Sequence, residues 1–384
     1  MSIIKPPLRS PLTQASKGIL NVMLLSALTL CMGTLSAGEK MTIVNPYDGV
    51  SWEKDHRHKA NFHTHTTNSD GKLKPHEVVD AYQKLGYDAL AITDHNEVTY
   101  PWTEFSKIEP KPDPTGRVPY EKRLGYEDRD PEKVGMTSIQ GNEFSHKHHM
   151  VNLWTDSAPD RRDPITEGIV DSKKKGGHVI FAHPGRYGWD KHERRKAKGK
   201  RIGSGDWTIE KYAEFFKTYD HIIGLEVYNK GDAYPQDRRL WDEILKRLMP
   251  ERPVWGFSND DMHNKGQLGR NQSILLVKEP SKELIKQALA KGQFFFAYCP
   301  KAQEGSEPPT IEKISVDVEK LVIRMTVDKA KKIEWISNGK VVGTGPSIDL
   351  SQVEELGNYV RAMVYGPEDD TVIGTQPFGI VRNK

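Results

Sequence analysis

At five points in this 384-residue chain a short apolar run leads into a cluster of histidine and carboxylate residues. Residues 60–62 lead to His63-Thr64-His65, 89–93 to Asp94-His95, 137–141 to Asn142-Glu143, 179–182 to His183, and 254–257 to Asp260-Asp261-Met262-His263. Such runs read as buried strands, and residues 150–154, 222–227, 273–277 and 294–297 read the same way. Between several of them lie stretches with a 3.6-residue apolar period, at 75–85, 209–219, 238–248 and 282–290. Strands alternating with helices predict parallel βα units closing into a barrel, and every cluster then falls at the carboxyl-terminal mouth. Scattered surface histidines would not keep that phase. Residues 101–131, rich in Pro, Gly and charge, read as a long excursion, and 190–201 as a cationic loop.

The chemistry of these clusters is that of metal ligands. A His-x-His pair at a strand end turns both imidazoles to one side, as a single cation requires. Imidazole and carboxylate without thiolate suit zinc, manganese or iron and disfavour a structural zinc site. The chain's two cysteines, Cys31 and Cys299, allow no disulfide framework. Its formal charge of +3 comes from Lys5, Arg9 and Lys17; the remainder balances 53 basic against 53 acidic side chains, which argues against a coat for duplex nucleic acid.

The first 37 residues carry those three cations, then an apolar run from Ile19 to about Leu35, then Ser36-Ala37-Gly38. This is the pattern of a cleaved export signal, which predicts a periplasmic protein with no stable membrane insertion after cleavage. A retained or lipid-modified anchor is the less favoured reading, because Leu30 before Cys31 is bulky for lipid processing. From residue 306 the pattern changes to short alternating strands (314–318, 321–327, 332–337, 340–343, 359–365) with the hairpin dipeptide Asn338-Gly339. The expected organisation is therefore a signal peptide over 1–37, a metallohydrolase barrel over 38–305 and a small antiparallel β-sandwich over 306–384.

The ordered set His63-x-His65, Asp70, Asp94-His95, Glu143, His149, His183 and Asp261-x-His263 resembles the polymerase and histidinol phosphatase (PHP) family of metallohydrolases, over residues 58 to 298. The resemblance implies a distorted (β/α)7 barrel holding two to three divalent ions. It assigns one ion to His63, His65, Glu143 and Asp261, a second to Glu143, His149 and His183, and a third to Asp70, His95 and His263. Exported relatives with a small β-domain, including a carbaryl-hydrolase-like branch, share this layout.

Several positions carry alternatives. His149, followed by the apolar Met150-Val151, fits a ligand best, with His148 and His146 as rivals. Asp94, Arg186 and His263 are the candidate catalytic residues: Asp94 to orient a ligand or accept a proton, Arg186 to grip an anion in two-point fashion. Glu226 ends an apolar run and reads foremost as structural pairing, next as support for the site. Tyr187, Trp189, Trp207 and Tyr228 read as packing or as a stacking wall. Clustered cations lower the pKa of a bridging water, so the hydroxide attacks phosphorus or carbon without a serine or cysteine nucleophile. The expected activity is hydrolysis of a small anionic phosphomonoester or phosphodiester. A carbamate, ester or amide is the alternative at the same centre, followed by a non-catalytic glycan- or polyanion-binding protein.

Overall fold

The computed structural model describes residues 40–108, 124–145, 148–158, 160, 163–187, 209–367 and 370–383. The expected signal peptide, Cys31, His146, Trp189, Trp207 and the cationic loop lie outside them. No described helix is long and apolar enough to cross a membrane.

The strands are, in order, β1 (Lys40–Val44), β2 (His56–Asn61), β3 (Ala89–Ala91), β4 (Thr137–Ile139), β5 (Gly141–Ser145), β6 (His149–Leu153), β7 (His178–Ala182), β8 (Ile222–Asn229), β9 (Trp255–Asn259), β10 (Asn271–Val277) and β11 (Phe294–Tyr298). The chain continues through β12 (Thr310–Asp317), β13 (Val322–Asp328), β14 (Lys332–Ser337), β15 (Lys340–Thr344), β16 (Ser347–Asp349), β17 (Tyr359–Tyr365), β18 (Val372–Gly374) and β19 (Phe378–Asn383). The main helices are Pro75–Lys84, Ile165–Lys174, Ile209–Thr218, Gln236–Leu248 and Lys282–Lys291. Each turns apolar residues inward at helical spacing, as Val78, Val79 and Tyr82 do in the first.

Mixed α/β layering results, with parallel pairing confined to two blocks. β2-β3-β4 and β7-β8-β9 are parallel, whereas β5-β6, β6-β7, β10-β2 and β10-β11 are antiparallel. The uniformly parallel pattern expected from the sequence therefore does not hold. The reason is local: three residues join β5 to β6, too few for a crossover, so the chain can only turn back on itself. Strand residues of both sheets nonetheless share one core, with Phe62, Ala89 and Ile139 of one packed with Val151, Ile180 and Phe257 of the other. Single parallel bridges, Thr64 with Met262 and His95 with Glu143, span the sheets on the side where the histidines emerge. The described ladders do not close into a ring.

The C-terminal strands do not hang from a linker. β18 pairs with β11 and β1 with β19, so one eleven-stranded sheet runs from β1 to β4. The sheet β12-β13-β16 packs on it through Ile311, Ile314, Ile323 and Ile348 against Trp335, Val360 and Val364. A buried pair locks the junction: Arg361 donates from Nε and Nη2 to the two oxygens of Asp242, at 2.9 and 2.8 Å, and the Tyr359 hydroxyl adds a third bond of 2.7 Å.

Candidate metal centre

The segment beyond β2 is shaped to present two imidazoles and a carboxylate. Asp94 holds it by accepting four hydrogen bonds, from the Thr66 amide (2.7 Å) and from the hydroxyls of Thr66, Ser69 and Thr99 (2.6 Å each). With its oxygens so engaged, Asp94 builds the loop that carries His65 and Asp70. Gly71 closes this turn because a Cβ there would lie 2.5 Å from the His65 carbonyl oxygen. At two further ligand positions the backbone is strained. His183 (φ 33°) and Asp261 (φ 45°) occupy the left-handed region, at a cost of about 1–3 kcal/mol each.

All nine residues expected as ligands meet here. Their donor atoms form four overlapping groups, each within 4.8 Å: His65, Asp70, His95 and His263; His63, Glu143 and His183; His63, His65 and Asp261; and His95, Glu143 and His149. His149 faces the centre, its Nδ1 2.8 Å from Glu143 Oε1, while His148 packs its ring on Tyr187 at 4.7 Å. The grouping differs from the expected one: His65 also reaches the Asp70–His95–His263 group, Glu143 is not grouped with His63, His65 and Asp261, and the expected Glu143–His149–His183 set is split, Glu143 joining His183 and His63 in one group and His149 and His95 in another.

Do these residues fit cations? Outer partners fix the protonation of three imidazoles. His63 Nδ1 lies 2.8 Å from Glu226 Oε1, His263 Nδ1 lies 2.8 Å from the Asp261 carbonyl oxygen, and His65 Nδ1 lies 3.4 Å from Ser69 Oγ, whose own proton goes to Asp94. Each acceptor keeps the proton on Nδ1 and leaves the Nε2 lone pair facing the centre, which is how metal-binding histidines are oriented. The inward atoms crowd without bonding: His63 Nε2 and His65 Nε2 are 3.1 Å apart. Glu143 Oε2 and His95 Nδ1 are 2.7 Å apart, yet buried without hydrogen-bond geometry. Donor set, tautomers and crowding all fit divalent cations.

The electrostatics agree. Burial works to raise the Asp70 carboxyl, but the adjacent imidazoles of His263 and His95 outweigh it and hold the group well below the usual carboxylate range. Burial would lower His95, yet Glu143 and Asp70 lift it to about 10. Burial wins at His149, which falls to about 4. Such opposite shifts within one cluster mark carboxylates that need positive charge opposite them.

Residues outside the ligand set complete the site. Lys230 Nζ lies 3.4 Å from Asp261 Oδ2. Glu226 also accepts from the His183 amide (2.9 Å), Asn229 (2.6 Å) and Asn259 (3.0 Å), which makes it the hub behind two ligands. Tyr187 is buried, its ring 5.5 Å from His149 and 5.7 Å from His183, and its hydroxyl has no hydrogen-bond partner among the described residues. Arg186 beside it is half-buried, 5.8 Å from the Tyr187 ring centre. Asp260 faces away, accepting from Tyr82, Gly269 and Asn271.

Residues 61–286 match the PHP domain family. Among solved structures, the chain is similar to a two-domain protein from Bacteroides vulgatus containing a predicted PHP-like metal-dependent phosphoesterase (17% identity, 86% of this chain and 96% of that one, TM-score 0.47). It is also similar to a proposed metal-dependent phosphoesterase from Bifidobacterium adolescentis (18% identity, 61% and 96%, TM-score 0.37). A third is a lesion-specific endonuclease from Pyrococcus furiosus (14% identity, 61% and 56%, TM-score 0.34). No curated protein sequence matches the chain.

Proposed function

The chain belongs to the PHP domain family, and from that membership we propose that it is a metal-dependent hydrolase, specifically a phosphoesterase acting on a small phosphomonoester or phosphodiester. The observation that carries the proposal is the convergence of nine imidazole and carboxylate donors with their outer protons fixed away from the centre. His63, His65 and Asp261 would hold one ion, Glu143 with His183 and His149 a second, and Asp70, His95 and His263 a third. When bound, such ions supply Lewis acidity and bring water toward ionisation at neutral pH. Zinc, manganese and iron all suit this set.

The protein's own groups then define where substrate sits. His95 and His263 are the most exposed members of the cluster, so substrate approaches from their side. Arg186 supplies a fixed cation for phosphate oxygens, and the Tyr187 hydroxyl supplies a donor whose hydrogen bond awaits the substrate. Lys230 balances Asp261 and adds positive potential. Asp94 acts through the loop it holds rather than on the reacting atoms. Residues 38–305 form the hydrolase part, containing every ligand, and 306–384 the accessory β-part; export rests on residues 1–37 and belongs to the same proposal.

The test is phosphate release from a panel of phosphomonoesters, nucleotides and cyclic phosphates, with Mn2+ or Zn2+ added. Metal-dependent release from at least one class supports the proposal. Inertness across the panel, with turnover of aryl esters or carbamates by the same metal-loaded protein, would move the reaction to carbon.

A further inference from the structure

The turn Pro184–Tyr187, which follows β7, carries Arg186 and Tyr187, the two side chains assigned above to the substrate. Behind it lies the first turn of the helix Gln236–Leu248, which clamps both backbone groups of Gly185. The Gly185 amide donates to Asp237 Oδ1, and its carbonyl oxygen accepts from Gln236 Nε2 at 3.2 Å. A third bond, from the Tyr212 hydroxyl to the Pro184 carbonyl oxygen at 3.4 Å, ties the same turn to the helix Ile209–Thr218. The approach is close enough to require glycine: a Cβ at position 185 would collide with Asp237 Oδ1 and stand 2.6 Å from Gln236 Cγ.

A carboxyl group at this position is costly. Asp237 is fully buried, and its Oδ2 has no hydrogen-bond partner among the described residues. Burial pushes the group well above the usual carboxylate range, against the pull of the Gly185 amide, which favours the uncharged acid. Carboxylates in the first turn of a helix ordinarily serve the helix dipole. This one reaches across to a different element.

Two carboxyl groups thus divide one short stretch of backbone. Glu226 accepts the amide of His183, the residue on the metal side, whereas Asp237 accepts that of Gly185, two residues on. His183 has its own anchor, so the part that depends on Asp237 is the path of residues 184–187. Burial works to lower the Arg186 guanidinium, but the phenols of Tyr187 and Tyr234 and the carboxylates of Glu143 and Asp261 outweigh it, so the group keeps its charge beside the metal centre.

We infer that Asp237 is a positioning residue for the substrate anion: by holding the Gly185 amide it fixes the turn that aims Arg186 and Tyr187 at phosphate oxygens, and it leaves the ions to other residues. Donors fixed in place before substrate arrives need no rearrangement when charge develops. This rests on the phosphoesterase reading, in which Arg186 meets the anion.

The test is isothermal titration of inorganic phosphate into the metal-loaded full chain, with metal content measured on every protein. The proteins are the parent, Arg186→Ala, Asp237→Ala, Asp237→Asn and Gln236→Ala. Hydrogen exchange of the peptide spanning Gly185, on the chelated proteins, reads the clamp without metal or ligand. Arg186→Ala and Asp237→Ala each raise the phosphate Kd about tenfold, as loss of a hydrogen bond to a charged oxygen does, at parent metal content. Asp237→Asn keeps the acceptor and binds like the parent. Gln236→Ala removes a half-exposed side chain, gives a smaller loss, and decides the matter if circular dichroism shows Asp237→Ala unfolded. Exchange at the turn quickens in both clamp variants to Ala and not in Asp237→Asn. If Arg186→Ala weakens phosphate binding and neither folded clamp variant does, the inference is overturned while the phosphoesterase reading stands. Loss of metal from Asp237→Ala, or parent-like exchange at its turn, overturns it equally. Phosphate that binds the parent and Arg186→Ala alike, or binds neither, removes Arg186 from the anion, and the inference falls with that reading.

Discussion

Glu226 Oε1 stands 2.8 Å from His63 Nδ1, and its second oxygen accepts the backbone amide of His183. One carboxylate, itself no member of the ligand groups, therefore orients the His63 imidazole and anchors the backbone that carries His183. It is held in turn by Asn229 and Asn259, so its position is fixed before any cation arrives.

Glu226→Gln keeps the shape but weakens the pull on the His63 proton. Metal affinity should fall by roughly 10–100-fold, the usual loss when a partner behind a ligand is changed. Isothermal titration of the chelated protein measures this. An unchanged affinity would reduce Glu226 to a packing role.

Tyr187 carries a buried hydroxyl, without a partner among the described residues, next to the imidazoles. Tyr187→Phe should leave metal content intact and lower kcat/KM by about tenfold, the worth of one hydrogen bond to a charged oxygen. Steady-state kinetics decide it. Parent-like kinetics would mean that the phenol never meets substrate.

The Asp242–Arg361 pair ties the helix Gln236–Leu248 to β17, with Tyr359 as a third member. Asp242→Ala strands a buried guanidinium and should cost about 3–5 kcal/mol in denaturant unfolding. The double variant Asp242→Leu, Arg361→Met should lose less than the single one, since no charge is then left uncompensated. A single-variant loss under about 1 kcal/mol would show that the junction does not depend on the pair.

His178, at the start of β7 and edge-on to Trp154 at 5.6 Å, is brought down to about 4 by burial, with Lys286 adding to the effect. The unfolded chain takes up this proton near the ordinary value of about 6.5, so between the two values unfolding is favoured. Its contribution is complete above about pH 6.5 and lost as pH falls toward 4, by roughly 3 kcal/mol. His178→Phe should flatten the stability curve of the chelated protein over that window. Identical curves for parent and variant would refute this.

The parts of the fold that announced themselves are those whose pattern is local. β14 coincides with the alternating run 332–337 because one of its faces is buried against the opposing sheet, and β17 coincides with the apolar run 359–365, buried on both faces. The helix Ile165–Lys174 escaped notice because its inward face is only Gly168, Ile169 and Ser172. β1, β18 and β19 were equally silent, being short strands that exist through pairing with distant partners such as β11. In the site, ligand chemistry limits which residue types can serve, so the histidines and carboxylates stood out at strand ends. Lys230 acts through a contact that spans elements, and no spacing in the chain marks it; Glu226 showed only as a carboxylate ending an apolar run and Tyr187 only as one of four aromatics, because their contacts with the ligands are set by the fold.

The central claim is that these nine residues form one centre for several cations. Metal content by mass spectrometry, on the reconstituted parent and on Glu143→Ala, tests it most directly, since Glu143 touches five of the six imidazoles within 3.4 Å. The account predicts two to three divalent ions in the parent and at least one fewer in the folded variant, with phosphate release lost together. No bound metal in the reconstituted parent, or equal content in both proteins, would contradict it.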